Sequence, residues 1–251
     1  MTKKQIAFIR SLRMKKNRDE SGLFIAEGFK IVEELLKTDF KIHSIFATIK
    51  PDFSRKDVNI EIISCKDMEK ISAQKTPQGI LALAFERQVK PDFAQIRRTL
   101  TIALDNVRDP GNMGTIIRTA DWFGIKDIIC SENCAGAFSP KVVAASSGSV
   151  FRVNAHYLNI PRFLPLLGGK MPGVSVYAAV KNGQNIYKMT LPEKALVIFG
   201  NESRGVSPEI LKSGVKKISI PPDGGAESLN VGIAAAIIIS EFRRKRMGVR
   251  S

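Results

Sequence analysis

From residue 99 onward the chain repeats one pattern: a short apolar run of strand length, a turn holding glycine or proline, then a segment with helical spacing. Residues 101–105, 127–130, 174–180 and 195–199 read as strands because they are brief, apolar and rich in β-branched side chains. Between them, residues 113–124 read as a helix closed by Gly124, and Ser139-Pro140 and Ser207-Pro208 each offer an N-cap followed by a first-turn proline. Strands alternating with helices predict a mostly parallel sheet covered on both faces, with ligands bound beyond the carboxyl ends of the strands. Chemistry is therefore expected in the loops that follow strands.

The first part of the chain alternates on a different plan. Ile6, Ile9 and Leu12, with Phe8 beside them, keep helical spacing over residues 4–14, and Phe24, Ile25 and Ala26 make a strand-like run. Ile31, Val32, Leu35 and Leu36 form one stripe of a helix over 30–37, strand-like stretches follow at 42–48 and 60–63, and residues 79–85 read as a buried strand. Residues 87–98 then turn polar and include Pro91. This shift in composition predicts one α/β domain over 1–90, a linker over 91–98 and a second α/β domain over 99–251.

Charge limits the partners. Lysine and arginine number 39 against 24 acidic residues, a formal net charge of +15, which draws polyanions. Lys3, Lys4, Arg10, Arg13, Lys15, Lys16 and Arg18 all precede the first acid, Asp19, while Arg243, Arg244, Lys245 and Arg246 crowd the other end. Nucleic acid is the partner expected, with Arg10, Arg13, Lys15, Lys16 and Arg18 contacting RNA; a solvated charged face and an anionic membrane surface are the alternatives. Cys65, Cys130 and Cys134 form no C-x-x-C pair, and their odd number argues for reduced, buried, inert thiols. His43 and His156 have no metal-ligand spacing, so no metal is expected. No apolar run reaches the ~20 residues of a membrane span. The longest, 231–240, ends at Glu241, and the first ten residues lack a signal-peptide core, which together predict a soluble cytoplasmic protein.

Three loops follow predicted strands in the second part, and each joins glycine to polar side chains. They read Asn106-Val-Arg-Asp-Pro-Gly-Asn-Met-Gly-Thr-Ile-Ile-Arg118, then Ile198-Phe-Gly-Asn-Glu-Ser-Arg-Gly205, then Ile218-Ser-Ile-Pro followed by Ser228-Leu-Asn-Val-Gly-Ile-Ala234. Taken singly, each is ordinary turn chemistry. In this order and at these separations they resemble the three motifs of the SpoU family of RNA ribose methyltransferases, in the TrmH-like branch of the SPOUT superfamily. Residues 3–41 and Thr76-Pro-Gln-Gly79 resemble that family's ribosomal-protein-like N-terminal substrate-binding domain, so the likeness spans nearly the whole chain.

The resemblance implies a deep trefoil knot in the catalytic domain, a rare exception to the rule against threaded chains. It implies S-adenosylmethionine as cofactor, methylation of a ribose 2′-hydroxyl in structured RNA (ribosomal RNA ahead of transfer RNA), and a homodimer formed through the catalytic domain, with residues 233–239 or the motif loops contributing. By position, Gly200, Ile220 and Leu229 match the cofactor contacts, and Asn201, Val231 and Ala234 line the same pocket. Core packing is the competing role for Ile220 and Leu229. Arg118 matches the motif-one arginine, and helical periodicity sets it opposite the stripe of Ile116, Ala120 and Phe123. A guanidinium does not deprotonate in proteins, so holding phosphate and polarising the hydroxyl suits Arg118 better than acting as base, leaving the proton to phosphate or water. Asn112, Glu202, Ser228 and Asn230 match the remaining polar motif positions. Turn formation by Asn112, a loop charge for Glu202 and helix capping by Ser228 or Asn230 are the competing local roles.

Three rivals remain at this level. A Rossmann-type methyltransferase requires G-x-G-x-x-G after the first strand, and residues 105–114 lack it. A non-enzymatic RNA-binding or ribosome-assembly factor is consistent with the charge, although Arg118, Glu202 and Asn230 are all present. Methylation of a base nitrogen is the third, against which Asn112, Arg118 and the Ser228-Leu-Asn-Val run favour ribose. Cys134 as a nucleophile has no neighbouring histidine in sequence to activate it.

Overall fold

The structure is a computed structural model that describes residues 1–53, 58–87, 89–96, 98–168 and 174–248, apart from the side chains of 166–168 and 245–248. Lys245 and Arg246 of the basic tail and Arg97 of the expected linker thus lie outside the described side chains. The chain forms two compact units, Met1–Gln88 with Gly136–Arg152, and Val89–Ala135 with Val153–Ser251.

In the first unit a capping box starts α1 (Lys3–Ser11): Gln5 N donates to Thr2 Oγ1 and Thr2 N to Gln5 Oε1. Helix α2 (Lys15–Ser21) ends at Gly22 in the left-handed region, which turns the chain into β1 (Leu23–Glu27). Then come α3 (Phe29–Leu36), β2 (Ile42–Ala47), β3 (Ile60–Ile62), α4 (Cys65–Ile71) and β4 (Ile80–Phe85). The sheet order is β1-β4-β2-β3, with β4 antiparallel to both neighbours. Helix α4 was not anticipated; Ser64 caps it by accepting from Asp67 N at 3.1 Å.

Every residue of β1 is buried because helices cover both sheet faces. Leu23 and Ile25 join a cluster with Ile9, Leu12, Met68 and Ile71. Phe24 points the other way, its ring 4.6 Å from Phe138, 5.8 Å from Phe40 and 6.0 Å from Phe151. Phe138 and Phe151 come from Gly136–Arg152, which also holds α7 (Pro140–Ala145). A single cut near residue 90 assigns this segment to the second domain, whereas its core residues pack in the first unit. Ser139 stands at the N-cap of α7 without a capping bond, and its buried Oγ has no partner among the described residues.

Arg18 leaves the expected RNA-contacting cluster. It is only 4% exposed, and its guanidinium donates to the carbonyls of Leu12 and Arg13, each at 3.0 Å, with Glu86 3.9 Å away. Those carbonyls sit at the turn between α1 and α2, and spare backbone acceptors in a buried turn need a donor. Arg10, Arg13, Lys15 and Lys16 remain exposed, although Arg13 also donates to the carbonyls of Ile71 and Ser72.

The second unit begins with α5 (Phe93–Ile96), then β5 (Leu100–Leu104), α6 (Pro110–Trp122), β6 (Asp127–Cys130), β7 (Asn154–Tyr157), α8 (Ile160–Gly168), β8 (Ser175–Asn185), β9 (Ala195–Phe199), α9 (Pro208–Leu211), β10 (Lys216–Ser219) and α10 (Val231–Gly248). All six strands run parallel, in the order β10-β8-β9-β5-β6-β7. Residues 93–96 of the expected linker are no free segment, since Ile96 enters the core beside Ile160, Phe163 and Ile198, and the Phe93 ring lies 5.4 Å from Phe163. The partly polar β7 and proline-containing α8 were not anticipated. Met113, Ile116, Ile117 and Ala120 of α6 are buried, α6 packs against α10, and Phe242 of α10 meets Tyr177 edge-on at 5.4 Å.

A half-buried polar group sits at the start of β6, where Asp127 Oδ1 is 2.8 Å from His156 Nε2 and accepts from Asn154 Nδ2 at 3.1 Å. The His156 hydrogen bond, against the opposing effect of burial, holds the Asp127 carboxyl below the usual carboxylate range. A depressed folded value means that the stabilisation is complete above the unfolded value of about 3.9 and is lost as pH falls through the folded one. The difference in urea midpoint between wild type and Asp127→Asn should therefore stay constant above about pH 5 and shrink below about pH 4. A difference independent of pH down to the acid limit would refute the assignment.

Candidate active site

The loops after β5, β9 and β10 leave the same carboxyl edge of the sheet, as the parallel register requires. At the end of β5, buried Asp105 accepts from Ser207 N at 2.7 Å and from Asn106 Nδ2 at 2.7 Å. Asn106 adopts the left-handed region, φ 58°, a conformation asparagine tolerates better than most residues. Its carbonyl accepts from Asn201 Nδ2 at 2.9 Å, which binds the first loop to the second. Asp109 then caps α6 by accepting from Asn112 N at 2.8 Å, with Pro110 in the first turn. The helix thus starts at Pro110, three residues before the position expected from apolar periodicity, and Asn112 lies inside its first turn. The Asp109-Pro110 pair was a readable start signal.

Asn201 and Gly205 close the second loop, each amide donating to the other's carbonyl at 2.9–3.0 Å, and Asn201 Oδ1 accepts from the amides of Ser203 and Arg204. Gly205 takes φ +68° without strain, and Gly200 is pressed so closely on the Gly205–Val206 peptide that it has no room for a side chain.

Three polar residues from three loops form one directed chain. Asn230 Oδ1 accepts from Gly232 N at 2.9 Å and Ile233 N at 3.3 Å, capping α10. Its amide nitrogen is left to donate to Asn112 Oδ1 at 2.8 Å, and Asn112 Nδ2 donates to Glu202 Oε1 at 2.8 Å. An ionised carboxylate only accepts, so the orientation of both amides follows from the two ends of the chain. Asn201 Nδ2 reaches the other Glu202 oxygen at 3.2 Å. Ser228 is exposed and takes no part in the cap, which belongs to Asn230 alone.

Arg118 lies on the exposed side of α6 with Gly111, Thr115 and Trp122. Gly200 and Val231 are buried, Ile220 and Ala234 half-buried, and Leu229 is 47% exposed, so Leu229 is not a core residue. The whole loop 221–230 is exposed, and the backbone of 221–229 makes no hydrogen bond among the described residues. Unspent amides and carbonyls beside exposed Leu229 fit a ligand with a flat apolar ring and polar edges, which is the chemistry of an adenosine cofactor.

Of the three thiols expected to be buried, Cys130 and Cys134 are buried and Cys65 is exposed. Cys134 is buried, donates to the Leu104 carbonyl at 3.1 Å, and hydrogen bonding led by Cys130 lowers its thiol to about 7. Burial raises Cys130 instead. Among the described residues there is no His/Cys/Asp/Glu group able to hold a metal, and no helix long and apolar enough to cross a membrane.

Known proteins share this fold. Residues 99–240 match the SpoU rRNA Methylase family, and residues 3–82 match the MRM3-like substrate binding domain. The 23S rRNA (guanosine(2553)-2′-O)-methyltransferase RlmP of Bacillus subtilis is 33% identical, over 93% of this chain and 94% of its own. A TrmH-family protein from Porphyromonas gingivalis superposes with a TM-score of 0.86 at 38% identity, over 98% of this chain and 99% of its own. An AdoMet-bound rRNA methyltransferase from Sinorhizobium meliloti superposes with a TM-score of 0.82 at 30% identity, over 98% and 96%.

Proposed function

The chain belongs to the SpoU rRNA methylase family, and from that premise we propose that it transfers a methyl group from S-adenosylmethionine to a ribose 2′-hydroxyl of ribosomal RNA. The observation that carries this reading is the hydrogen-bonded chain Asn230–Asn112–Glu202, which unites the three motif loops at the carboxyl edge of the parallel sheet. When bound, S-adenosylmethionine supplies an electrophilic methyl on a sulfonium. Gly200, Asn201, Ile220, Leu229, Val231 and Ala234 hold it, chiefly through the backbone of the loops after β9 and β10. Arg118 binds the phosphate next to the target ribose and polarises the 2′-hydroxyl, and phosphate or water takes the proton. Asn112, Glu202, Asn230 and Ser228 orient the ribose, so the protein contributes mainly alignment. Arg10, Arg13, Lys15 and Lys16 hold RNA phosphates on the first unit. Arg18 supports them by fixing the α1–α2 turn rather than by contact.

The second unit carries a deep trefoil knot in this reading. One close backbone approach supports it. A Cβ on Gly183 would stand 2.5 Å from the Ile218 carbonyl carbon, and the β8–β10 register jumps at that point. The active form is a cytoplasmic homodimer joined through α6 and α10. Trp122 and Ile233 support this, being 82% and 52% exposed on those helices, whereas Ile238 and Ile239 of the expected interface stretch are core residues. Sedimentation should give twice the chain mass at micromolar concentration, and Trp122→Glu should return it to the monomer mass; a wild-type monomer refutes the interface.

The direct test is incubation with methyl-labelled S-adenosylmethionine and unmodified cellular RNA, followed by nucleoside digestion. Label in 2′-O-methyl nucleosides of ribosomal RNA is expected. Label in a base overturns ribose as the target, and RNA binding without transfer would leave an assembly factor.

A further inference from the structure

The first unit has an exposed aromatic edge that neither the expected phosphate contacts nor the methyl-transfer site uses. Register places the ends of β1 and β2 and the start of β4 together, since Glu27 pairs with Leu81 and Ala47 with Ile80. The segments next to these ends are tied to one another: Gly28 N donates to the Ile80 carbonyl at 3.1 Å and Thr48 N to the Gly79 carbonyl at 2.9 Å. Gly28, at φ +103°, has the Gln78 side chain where a Cβ would be, 2.8 Å from that point. Only glycine takes this φ without strain, and the sharp turn delivers Phe29 as the first residue of α3, 48% exposed.

Phe53 returns over it, the ring centroids 5.3 Å apart and the planes 30° from parallel. Ile49, next to Thr48, is 81% exposed. A lone exposed apolar side chain needs no explanation, but two stacked rings, one of them 48% exposed, form a patch. Lys30, Lys50 and Lys75 are exposed in the same three segments, against Asp52 as the exposed acid among the described residues. Glu27 brings no free charge, because its buried carboxylate accepts from Ser72 Oγ and from Ala73 N. The exposed Gln78 amide has no hydrogen-bond partner among the described residues.

We propose that this edge is a platform on which an unpaired base of the RNA substrate stacks on Phe29 and Phe53, its polar edge read by Gln78 and its flanking phosphates held by Lys30, Lys50 and Lys75. Lysines around an apolar patch complement a polyanion that carries flat, unpaired π-faces, which is single-stranded RNA and not duplex. The hydrogen bonds that tie the three segments together hold the rings before binding, so little ordering cost remains. The inference rests on RNA as the substrate and adds the class of element recognised: a loop or bulge with an exposed base.

The test uses two RNAs of equal length at one salt concentration, a hairpin with 2-aminopurine in its loop and a fully paired duplex. Wild type should prefer the hairpin and change the 2-aminopurine fluorescence. Phe29→Leu should weaken hairpin binding by about five- to a hundredfold while leaving duplex binding unchanged, and Phe29→Tyr should retain the preference. Thermal melts identical to wild type confirm that the variants fold. Equal binding of both RNAs by wild type, or equal loss for both in Phe29→Leu, overturns the proposal. So does a Phe29→Leu variant that changes the mass in light scattering but not RNA binding, which marks the edge as a contact between copies. Methyl transfer by wild type is measured separately: its absence with the hairpin preference intact refutes the enzymatic reading alone, and transfer without a Phe29 effect refutes the platform alone.

Discussion

Arg118→Ala is expected to lower single-turnover methyl transfer by about 10²–10³-fold while leaving S-adenosylmethionine affinity unchanged, the size of effect seen when one preorganised donor to a developing oxyanion is removed. The side chain stands on the face of α6 away from Met113, Ile116, Ile117 and Ala120, so its removal opens no cavity in the core. Helix α6 is anchored at its start by Asp109 and by Asn112 within the hydrogen-bonded chain to Glu202 and Asn230, which holds position 118 in place relative to the loops. Lysine cannot reproduce the planar fork of a guanidinium on phosphate, so Arg118→Lys should restore only part of the rate. If Arg118 holds a phosphate, the salt dependence of RNA binding should also lose about one unit of slope. A variant with wild-type turnover would remove Arg118 from the reaction.

Gly200→Ala is expected to abolish S-adenosylmethionine binding and to destabilise the second unit. The added methyl would overlap the carbonyl carbon of Gly205 and the amide of Val206, both backbone atoms in a loop closed by the paired bonds between Asn201 and Gly205. Backbone cannot rotate aside like a flexible side chain, so the loop must open. The cost is about 1–3 kcal/mol or more, read as a fall in Tm of about 2–4 °C per kcal/mol. Gly225→Ala is the control, because a Cβ there meets nothing within 4 Å and its φ is not positive, so its melting temperature should match wild type. Equal melting of the two variants, with cofactor binding intact in both, would show that the contact at Gly200 does not constrain the loop.

Much of the second unit's framework was legible in local pattern. Apolar runs such as 101–105 and 195–199 are nearly continuous because helices bury both faces of a parallel sheet, and such runs announce themselves without any knowledge of partners. The elements that escaped have weak local signals. β7 is short and contains the buried polar His156, α8 carries Pro165 inside it, and α4 is only seven residues long. Helix α6 starts at Pro110 and not at Met113 because the Asp109-Pro110 cap, which apolar periodicity does not register, sets its first turn.

The three polar loops, their order and their chemistry were present in the sequence by itself, since glycine, proline and capping residues act over a few positions and leave a local trace. Which side chains meet was decided by the tertiary structure. Asn112 bonds to Glu202 across 90 positions and to Asn230 across 118, and no local preference encodes a contact of that span. Arg18 makes the same point in reverse: in sequence it is one more cation in a basic run, and only the packing of the α1–α2 turn turns it inward to satisfy two carbonyls. Phe29 and Phe53 lie far apart along the chain and stack because strand register brings the ends of β1, β2 and β4 together. Propensity and patterning are short-range and can be read from the chain, whereas the burial of a charge or the meeting of two side chains depends on the whole packed fold.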